Sequence, residues 1–515
     1  MSRINTNVQS MITQRVLATN NANLSQSLER LSTGLRVNRG KDDPAGLIAS
    51  ENLRNEQRGL SAAVSNAERA DQVANVAESG LAEVSGLLSE LQGLVTTTAN
   101  RAGLSNEERQ ANQLVVDSIL QTIDRVSSST NFQGIKLLNG NMDYKTSSLN
   151  SGVSDFRIGS AKFSGATLGV DVLITQSAQQ GGMFLSMGGT TLNLNTASSF
   201  VIEISGSKGS RELSFASGTS LATMVSTVNR FTDVTGVTAS LSSISSTRVS
   251  LATSEFGSAE FASVRVINSA GLNSTNNGVA AATRGVYSKA ASAFNTANTT
   301  IASTFVNASN AVRDLGQDVG GTINGMTMTG RGKVAKVNGD VLDAELTLST
   351  SRAQTMGNVG TGTNSAFYIT GGGAEFHLEG RVSLNGKASL GLQSISVSKL
   401  GNSTAGFLKT LGNGQANNLV NGNQDSAQKI IAEAISQVSS ARGRVGTFQR
   451  NVVGGTIRNL NVAIENTAAA ASIIRDADFA SETAALTRSQ ILVSASTNIL
   501  SLANQAPNSA LQLLG

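Results

Sequence analysis

The side chains from which catalytic chemistry is usually built are almost missing from this chain of 515 residues, which has no cysteine and one histidine, His377. Without cysteine there are no disulfides, thiolate metal sites or thiol nucleophiles. One histidine rules out metal motifs built on two, and it leaves His377 as the sole imidazole base for a nucleophilic triad. Its surroundings, EFHLEG, carry no nucleophile motif, so it reads as an ordinary residue of its region. Gly325 and Gly330 have the spacing of a phosphate loop, but Arg331 and Gly332 stand where lysine and Ser/Thr belong. Gly371 to Gly373 read as a flexible turn. No catalytic residue, cofactor site or metal site is expected, and the chain reads as a non-enzyme.

The spacing that does repeat is apolar. Leu17, Leu24 and Leu31 recur every seventh residue, and Leu28 and Leu35 read as the other half of the heptad. Near the other terminus Phe479, Leu486, Val493 and Leu500 repeat at the same interval. Both are coiled-coil seams, and each needs an apolar partner. An intramolecular helical bundle would supply one, and so would other copies of the chain. Between the N-terminal seam and the next helix lies a charged joint containing Arg36, Arg39, Lys41, Asp42 and Asp43. Asp43 is placed to cap the following helix, and Pro44 fits its first position, where a missing N–H costs nothing. The joint reads either as a solvated loop or as a hinge whose charges bridge neighbouring subunits. Exposed ion pairs contribute only ~0 to 1 kcal/mol each, so in the second case they set register more than strength.

The elements around these seams follow from periodicity. Residues 1 to about 43 read as a first helical rod, with Gly34 as a local stop, and Pro44 to about Gly103 as a longer one, ~90 Å if continuous. Ser105 and Glu108 form a capping-box pattern that opens a third helix, striped by Val116, Ile119, Ile123 and Val126. From Asn131 to about Gly169 the period breaks into loops and short strands. Residues 170 to 420 are rich in Gly, Ser and Thr, with alternation at Phe200, Ile202 and Ile204, at Leu213 and Phe215, at Val237, Ala239 and Leu241, and at Ala344, Leu346 and Leu348. That is β-structure, interrupted by a helical SLATMVSTVNRF and a second helical segment over 284 to 315 (Val286, Phe294, Ile301, Val306, Val312). Helical periodicity returns at Asp425, is interrupted by Gly454 and Gly455, and is expected to stop at Pro507.

The whole is α+β and multidomain: a helical coiled-coil bundle made by the two terminal segments, with β-rich domains inserted mid-chain. The expected division is 1–43 with 470–515 as an inner terminal domain, and 44–170 with 421–469 as a helical rod bearing a β-hairpin. Residues 171–420 form a variable outer region, split at about 283/284. A length of 515 residues suits several domains, and the low aromatic content, 4% with no Trp, argues against large compact cores. The formal charge of +4 is small for this length and no Lys/Arg block stands out, so nucleic acid is not an expected partner. The N-terminal MSRINTNVQSMITQRV lacks the apolar core of a secretory signal, and no stretch approaches the roughly 20 apolar residues of a membrane span. A cytoplasmic protein, or one exported without a cleaved signal, is expected, with no membrane insertion.

Four blocks in this order, MSRINTNVQSM, LSTGLRVNRGKDDPAGLIA, TIDRVSSSTNFQGIKLLNG and SIIRDADFASETAALTRSQILVSASTNILSLANQAPNSALQLL, resemble the bacterial flagellins. The likeness covers roughly the first 140 and last 90 residues, and GSRELSFASGTSLATMVSTVNRFTDVTGVTAS is similar to a small β-rich module of some flagellins and hook-associated proteins. The resemblance implies a structural subunit that polymerises into the extracellular flagellar filament for swimming. Its termini would lie in an inner coiled-coil layer and the middle of the chain would face outward. Implied partners are other copies in a homopolymer, hook-associated and cap proteins, the flagellar export apparatus and a flagellin chaperone. The alternative is a hook–filament junction protein, towards which Pro44 leans because alanine is common there in flagellins; the C-terminal block leans the other way. Some flagellins are recognised by an innate immune receptor where an arginine and a glutamate are typical. Gly93 and Val116 stand at those places here, so such recognition is not expected.

Overall fold

The computed structural model describes all residues except 1–5, 101–102, 164, 195–198, 243–246, 273–283, 289–300, 306–307, 340, 361–364 and 513–515. Among the described residues the helices are α1 (Val8–Thr33), α2 (Pro44–Thr98), α3 (Asn106–Ser129), α4 (Leu221–Asn229), α5 (Thr232–Thr235), α6 (Thr350–Ala353), α7 (Gln424–Thr447), α8 (Gly454–Arg475) and α9 (Phe479–Gln512). The chain divides into a first unit, residues 1–72, 376–387 and 449–515, and a second, residues 73–375 and 388–448.

Local chemistry sets most helix ends. Asn7 caps α1 by accepting from the Ser10 N–H, and Gly34 ends it in the left-handed region at φ 71°, donating to the Arg30 carbonyl. The first rod therefore stops at Thr33, and residues 34–43 are a loop, not the helix expected to about 43. Asp43 Oδ1 accepts from the Gly46 N–H at 2.9 Å with Pro44 at the first helical position. Ser105 and Glu108 form a reciprocal capping box on α3. Gly454 and Gly455 do not break the C-terminal helix. The backbone takes a wide π-helical turn over Phe448–Val453 immediately before them and continues as α8. Pro507 does not end α9 either, since the helix runs to Gln512.

In the first unit, residues 376–387 form the tip of a hairpin whose strands are Ala374–His377 and Lys387–Leu390. Leu378 is buried, and its N–H donates to the Gly386 carbonyl. His377 is taken up within the tip, its Nε2 lying 2.8 Å from the Arg381 carbonyl oxygen. The tip meets α2 glycine to glycine: a Cβ on Gly59 would lie 2.6 Å from the Gly380 carbonyl oxygen.

In the second unit the apolar stripes of α2 (Leu81, Val84, Leu88, Leu91, Val95), α3 (Val116, Ile119, Ile123) and α7 (Ile430, Ile431, Ala434, Val438, Val445) are all buried. Each such side chain stabilises by about 1.5 to 3 kcal/mol relative to exposure. Polar contacts index the helices on one another: Asn112 donates to Thr98 at 3.2 Å, and Arg442 pairs with Glu78 at 2.8 Å.

The β-structure holds two apolar cores. One unites Met183, Phe200, Ile202, Ile204, Leu213, Phe215, Val237, Leu251 and Phe305, between a five-stranded and a four-stranded antiparallel sheet with α4 alongside. Phe200 and Phe305 meet edge-on at 5.3 Å. The other unites Val153, Ile158, Val172 and Ile174 with Ile323, Ala344, Leu346, Leu348 and Phe367. The second core thus brackets the first in sequence, whereas a cut near 283/284 had been expected. Over 284–315 the expected helix is replaced by strands Gly285–Ser288, Ile301–Thr304 and Val312–Leu315. Phe294 and Val306 lie outside the described residues. Strand Gly285–Ser288 pairs with Gly182–Ser186, a non-local ladder that no local period reveals.

Candidate assembly interface

Helices α1 and α9 pack antiparallel along one another in the first unit. Their contacts run from Asn7 Nδ2 to the Ala503 carbonyl at 2.7 Å, through Ser10 Oγ to Asn504 Oδ1 at 2.7 Å and Asn20 Nδ2 to Ser496 Oγ at 2.9 Å, to an ion pair between Arg30 and Glu482 at 3.7 Å. The inward positions of α1 step alternately by three and four residues: Ser10, Thr13, Leu17, Asn20, Leu24, Ser27 and Leu31. Those of α9 are Glu482, Leu486, Ser489, Val493, Ser496, Leu500 and Ala503. On both helices one half of the heptad is therefore leucine or valine and the other half is mostly small or polar.

This corrects the expected seam at its edges. Leu17, Leu24, Leu31, Leu486, Val493 and Leu500 lie on it. Leu28 is 48% exposed, and Phe479, at the start of α9, is 68% exposed. The apolar pattern places the other half of the heptad at Leu28 and Leu35, four residues after Leu24 and Leu31, but Leu35 lies beyond the end of α1. The packing instead takes the position three residues on, which puts Thr13, Asn20 and Ser27 inside and turns Leu28 out. Asn7, Ser10, Asn20, Ser496 and Asn504 went unmarked because polar residues at heptad positions look like interruptions.

Outside the seam, both helices keep apolar side chains in the open: Val8, Met11, Ile12 and Val16 on α1, and Ile491, Leu492, Ile499 and Leu502 on α9. Leu492 and Ile499 are one heptad apart, as are Ala495 and Leu502. A second coiled-coil face thus runs beside the first, with no helix of the described residues of this unit covering it.

The charged joint is closed by partners from its own chain. The Arg36 N–H donates to the Arg475 carbonyl and its Nη2 to the Ile474 carbonyl, both at 2.7 Å, while the Ala477 N–H donates to the Gly34 carbonyl at 2.9 Å. These bonds and an isolated bridge between Leu35 and Asp476 splice the loop after α1 to the loop between α8 and α9. Arg39 pairs with Glu29 at 2.8 Å. Asp42 accepts from the Arg39 N–H at 2.9 Å and the Asn38 N–H at 3.2 Å. The Arg39 bond, more than any other influence, holds the Asp42 carboxyl below its usual range. Val37, not singled out from the sequence, is buried at the centre of the loop. Among the described residues no group of three or more His, Cys, Asp or Glu side chains is arranged to hold a metal ion.

The two helices thus pack on each other through half-polar seams, and each keeps further apolar side chains in the open. Comparison with known proteins places them in a family. Residues 4–143 match the bacterial flagellin N-terminal helical region, residues 428–514 its C-terminal helical region, and residues 199–254 the flagellin hook IN motif. The chain belongs to the bacterial flagellin family. Polar flagellin B/D of Vibrio parahaemolyticus is 28% identical over 99% of both chains. Flagellin B of Vibrio cholerae and flagellin B of Helicobacter pylori are each 26% identical, again over 99% of both chains. In this flagellin the helix pair α1 and α9 lies inside the matched N- and C-terminal regions, and the hook IN motif spans part of the first β-core. Val116, at one of the two positions compared with receptor-binding flagellins, is fully buried in α3.

Proposed function

We infer that this flagellin is a structural subunit that self-assembles into the bacterial flagellar filament, and that the α1–α9 pair is where subunits join. The observation that carries this reading is the second apolar face. Ile491, Leu492, Ile499 and Leu502 on α9, of which Leu492 and Ile499 are one heptad apart, and Val8, Met11, Ile12 and Val16 on α1 lie open in one chain, and each such side chain gains about 1.5 to 3 kcal/mol when covered. Further helices with the same period cover it best, and a homopolymer supplies them. Residues 1–43 with 470–515 are the self-assembling region in this reading, residues 44–170 with 421–469 the rod, and residues 171–420 the outward part. Leu17, Leu24, Leu31, Leu486, Val493 and Leu500 join α1 to α9, while Leu28, Leu35 and Phe479 are available to neighbours. Arg36, Arg39, Asp42, Asp43 and Pro44 serve as the joint, with Arg36 tying it to the C-terminal segment.

Because one subunit cannot cover both faces, the ends are held weakly until neighbours arrive, which couples their ordering to polymerisation. The same weakness suits export without a cleaved signal through the flagellar export apparatus, with a chaperone on the C-terminal segment. Hook-associated and cap proteins are the partners at the filament's ends. No catalytic role is assigned. The test is truncation: removal of residues 1–35 or 480–515 abolishes addition to filament seeds and leaves the far-UV and thermal signatures of the β-rich middle intact. Normal filaments from either truncated chain in electron micrographs would refute it.

A further inference from the structure

The apolar half of the terminal seam cannot choose its own alignment. Its leucines and valine repeat every seven residues on both helices. A slide of seven residues, about 10.5 Å at the helical rise, therefore sets the same side chains against one another again. Along the two helices only the polar half distinguishes one alignment from the next, in addition to the splice of residues 34–36 to 474–477 at their joined end. Asn20 is the one amide at the inward positions of α1, and its Nδ2 donates to Ser496 Oγ at 2.9 Å.

At the free end Asn7 is used twice. Its Oδ1 caps α1 by accepting from the Ser10 N–H at 3.0 Å, and its Nδ2 donates to the Ala503 carbonyl at 2.7 Å. That carbonyl stands four residues before Pro507, which has no N–H to give it. In the body of α9 the other carbonyls already accept from the helix. A slide that moves Asn7 seven residues into that body leaves its amide with no free acceptor.

We propose that Asn7 and Asn20 are the specificity-determining residues of subunit joining: they select the α1–α9 pairing and its register over the slid alignments the leucine heptads equally permit. The proposal rests on the reading that this pair is the assembling end of the subunit. A single amide at a coiled-coil core position acts in this way, fixing register at the expense of stability.

The absence of cysteine allows a direct test. One core step from the Asn20–Ser496 contact, Leu24 faces Val493; a slide of one heptad sets it on Leu500 and Asn20 on Ala503, and the opposite slide sets it on Leu486, leaves Asn20 on a serine, Ser489, and moves Asn7 into the body of α9. The pairs of Leu24→Cys with Val493→Cys, with Leu500→Cys and with Leu486→Cys are built into the full chain. They are made in three backgrounds: unchanged, Asn20→Leu, and Asn7→Asp, which keeps the capping oxygen and loses the donor. Each chain is mixed with seeds and oxidised, and intrachain crosslinks are quantified by mass spectrometry. The unchanged background favours 24–493 over 24–500 and over 24–486 by about 2- to 10-fold, the selectivity that one net hydrogen bond supplies. Asn20→Leu brings the ratio of 24–493 to 24–500 towards one, with soluble oligomers in sedimentation, and Asn7→Asp lowers the ratio of 24–493 to 24–486 several-fold. If both variants retain the full preference for 24–493, whether or not they polymerise, the proposal is overturned. If the unchanged chain fails to add to seeds, the filament reading fails instead, and the crosslink ratio in the soluble chain still decides whether the amides set register.

Discussion

Replacing Gly59 by alanine sets two effects of known size against each other. Gly59 lies inside α2, where alanine favours the helix by about 1 kcal/mol. Its new Cβ, however, would lie 2.6 Å from the Gly380 carbonyl oxygen and 3.4 Å from that carbonyl carbon. The obstacle is backbone, which cannot swing aside as a flexible side chain does, and overpacking of this kind costs about 1 to 3 kcal/mol. The helix gains while the contact loses, so α2 stays intact and the hairpin tip lifts. Opening of residues 376–387 should become roughly 5- to 150-fold more frequent, the factor that 1 to 3 kcal/mol represents. Hydrogen exchange of the tip and tryptic cleavage after Arg381 report it. Gly380→Ala is the graded control: its Cβ meets the Gly59 carbonyl carbon and the Leu60 nitrogen at 3.1 Å, which a shift of a few tenths of an ångström relieves, so its effect is smaller. A Gly59→Ala chain with a raised melting temperature and an unchanged rate of cleavage at Arg381 would refute the reasoning.

Other outcomes follow from the second unit and the joint. Leu88→Ala in the buried stripe of α2 should cost about 2 to 5 kcal/mol in the calorimetric transition of the second unit, and a loss below about 1 kcal/mol would mean the site collapses without a cavity. Ser105→Ala removes half of the α3 capping box and should cost about 1 kcal/mol; an unchanged denaturation midpoint would show that the Glu108 bond to the Ser105 N–H suffices. Burial raises the Asp155 carboxyl above its ordinary value of 3.8 despite Arg157 at 3.7 Å. Its charged form therefore weakens the fold above the raised value, and this penalty fades as pH falls towards 3.8. Asp155→Asn should stabilise the second unit at pH 7 and lose that advantage near pH 4; lower stability at pH 7 would show that the pair with Arg157 outweighs desolvation. The lowered Asp42 has the opposite sign. Its contribution is present above 3.8 and is lost as pH falls through its folded value, so exchange in residues 34–43 should quicken there and not at neutral pH.

The parts of this fold that could be read from the sequence are those decided within a few residues. Asp43 before Pro44, and Ser105 three residues before Glu108, satisfy orphan N–H groups by local reach, and both form as expected. Alternation at Phe200, Ile202 and Ile204 marks a strand with one buried face, because the pleat has period two wherever the strand lies. Which strands share a core is decided elsewhere. Gly285–Ser288 is a strand because it completes a ladder on Gly182–Ser186, about a hundred residues away, and its own apolar spacing is equally compatible with a helix. The joint is a case of partial legibility: its charges were conspicuous, but Arg36 acts on the carbonyls of Ile474 and Arg475, which no property of residues 31 to 50 could indicate.

Pro507 shows why a sound local rule can still give the wrong boundary. Proline inside a helix removes one N–H and leaves a carbonyl four residues back without its donor, and that unmet acceptor is a large part of why proline usually ends helices. Here the carbonyl is that of Ala503, and Asn7, from the opposite end of the chain, donates to it at 2.7 Å. The loss is made good across the seam, so α9 continues to Gln512. The compensation exists only while α1 lies against α9 in this register, which makes the last turns of α9 conditional on the pairing. Asn7→Asp should therefore shorten α9 from its C-terminal end, seen as faster amide exchange after Ala503, with exchange at Leu486 to Val493 unchanged. Uniform exchange along α9 in that variant would mean that Pro507 is tolerated without help from Asn7.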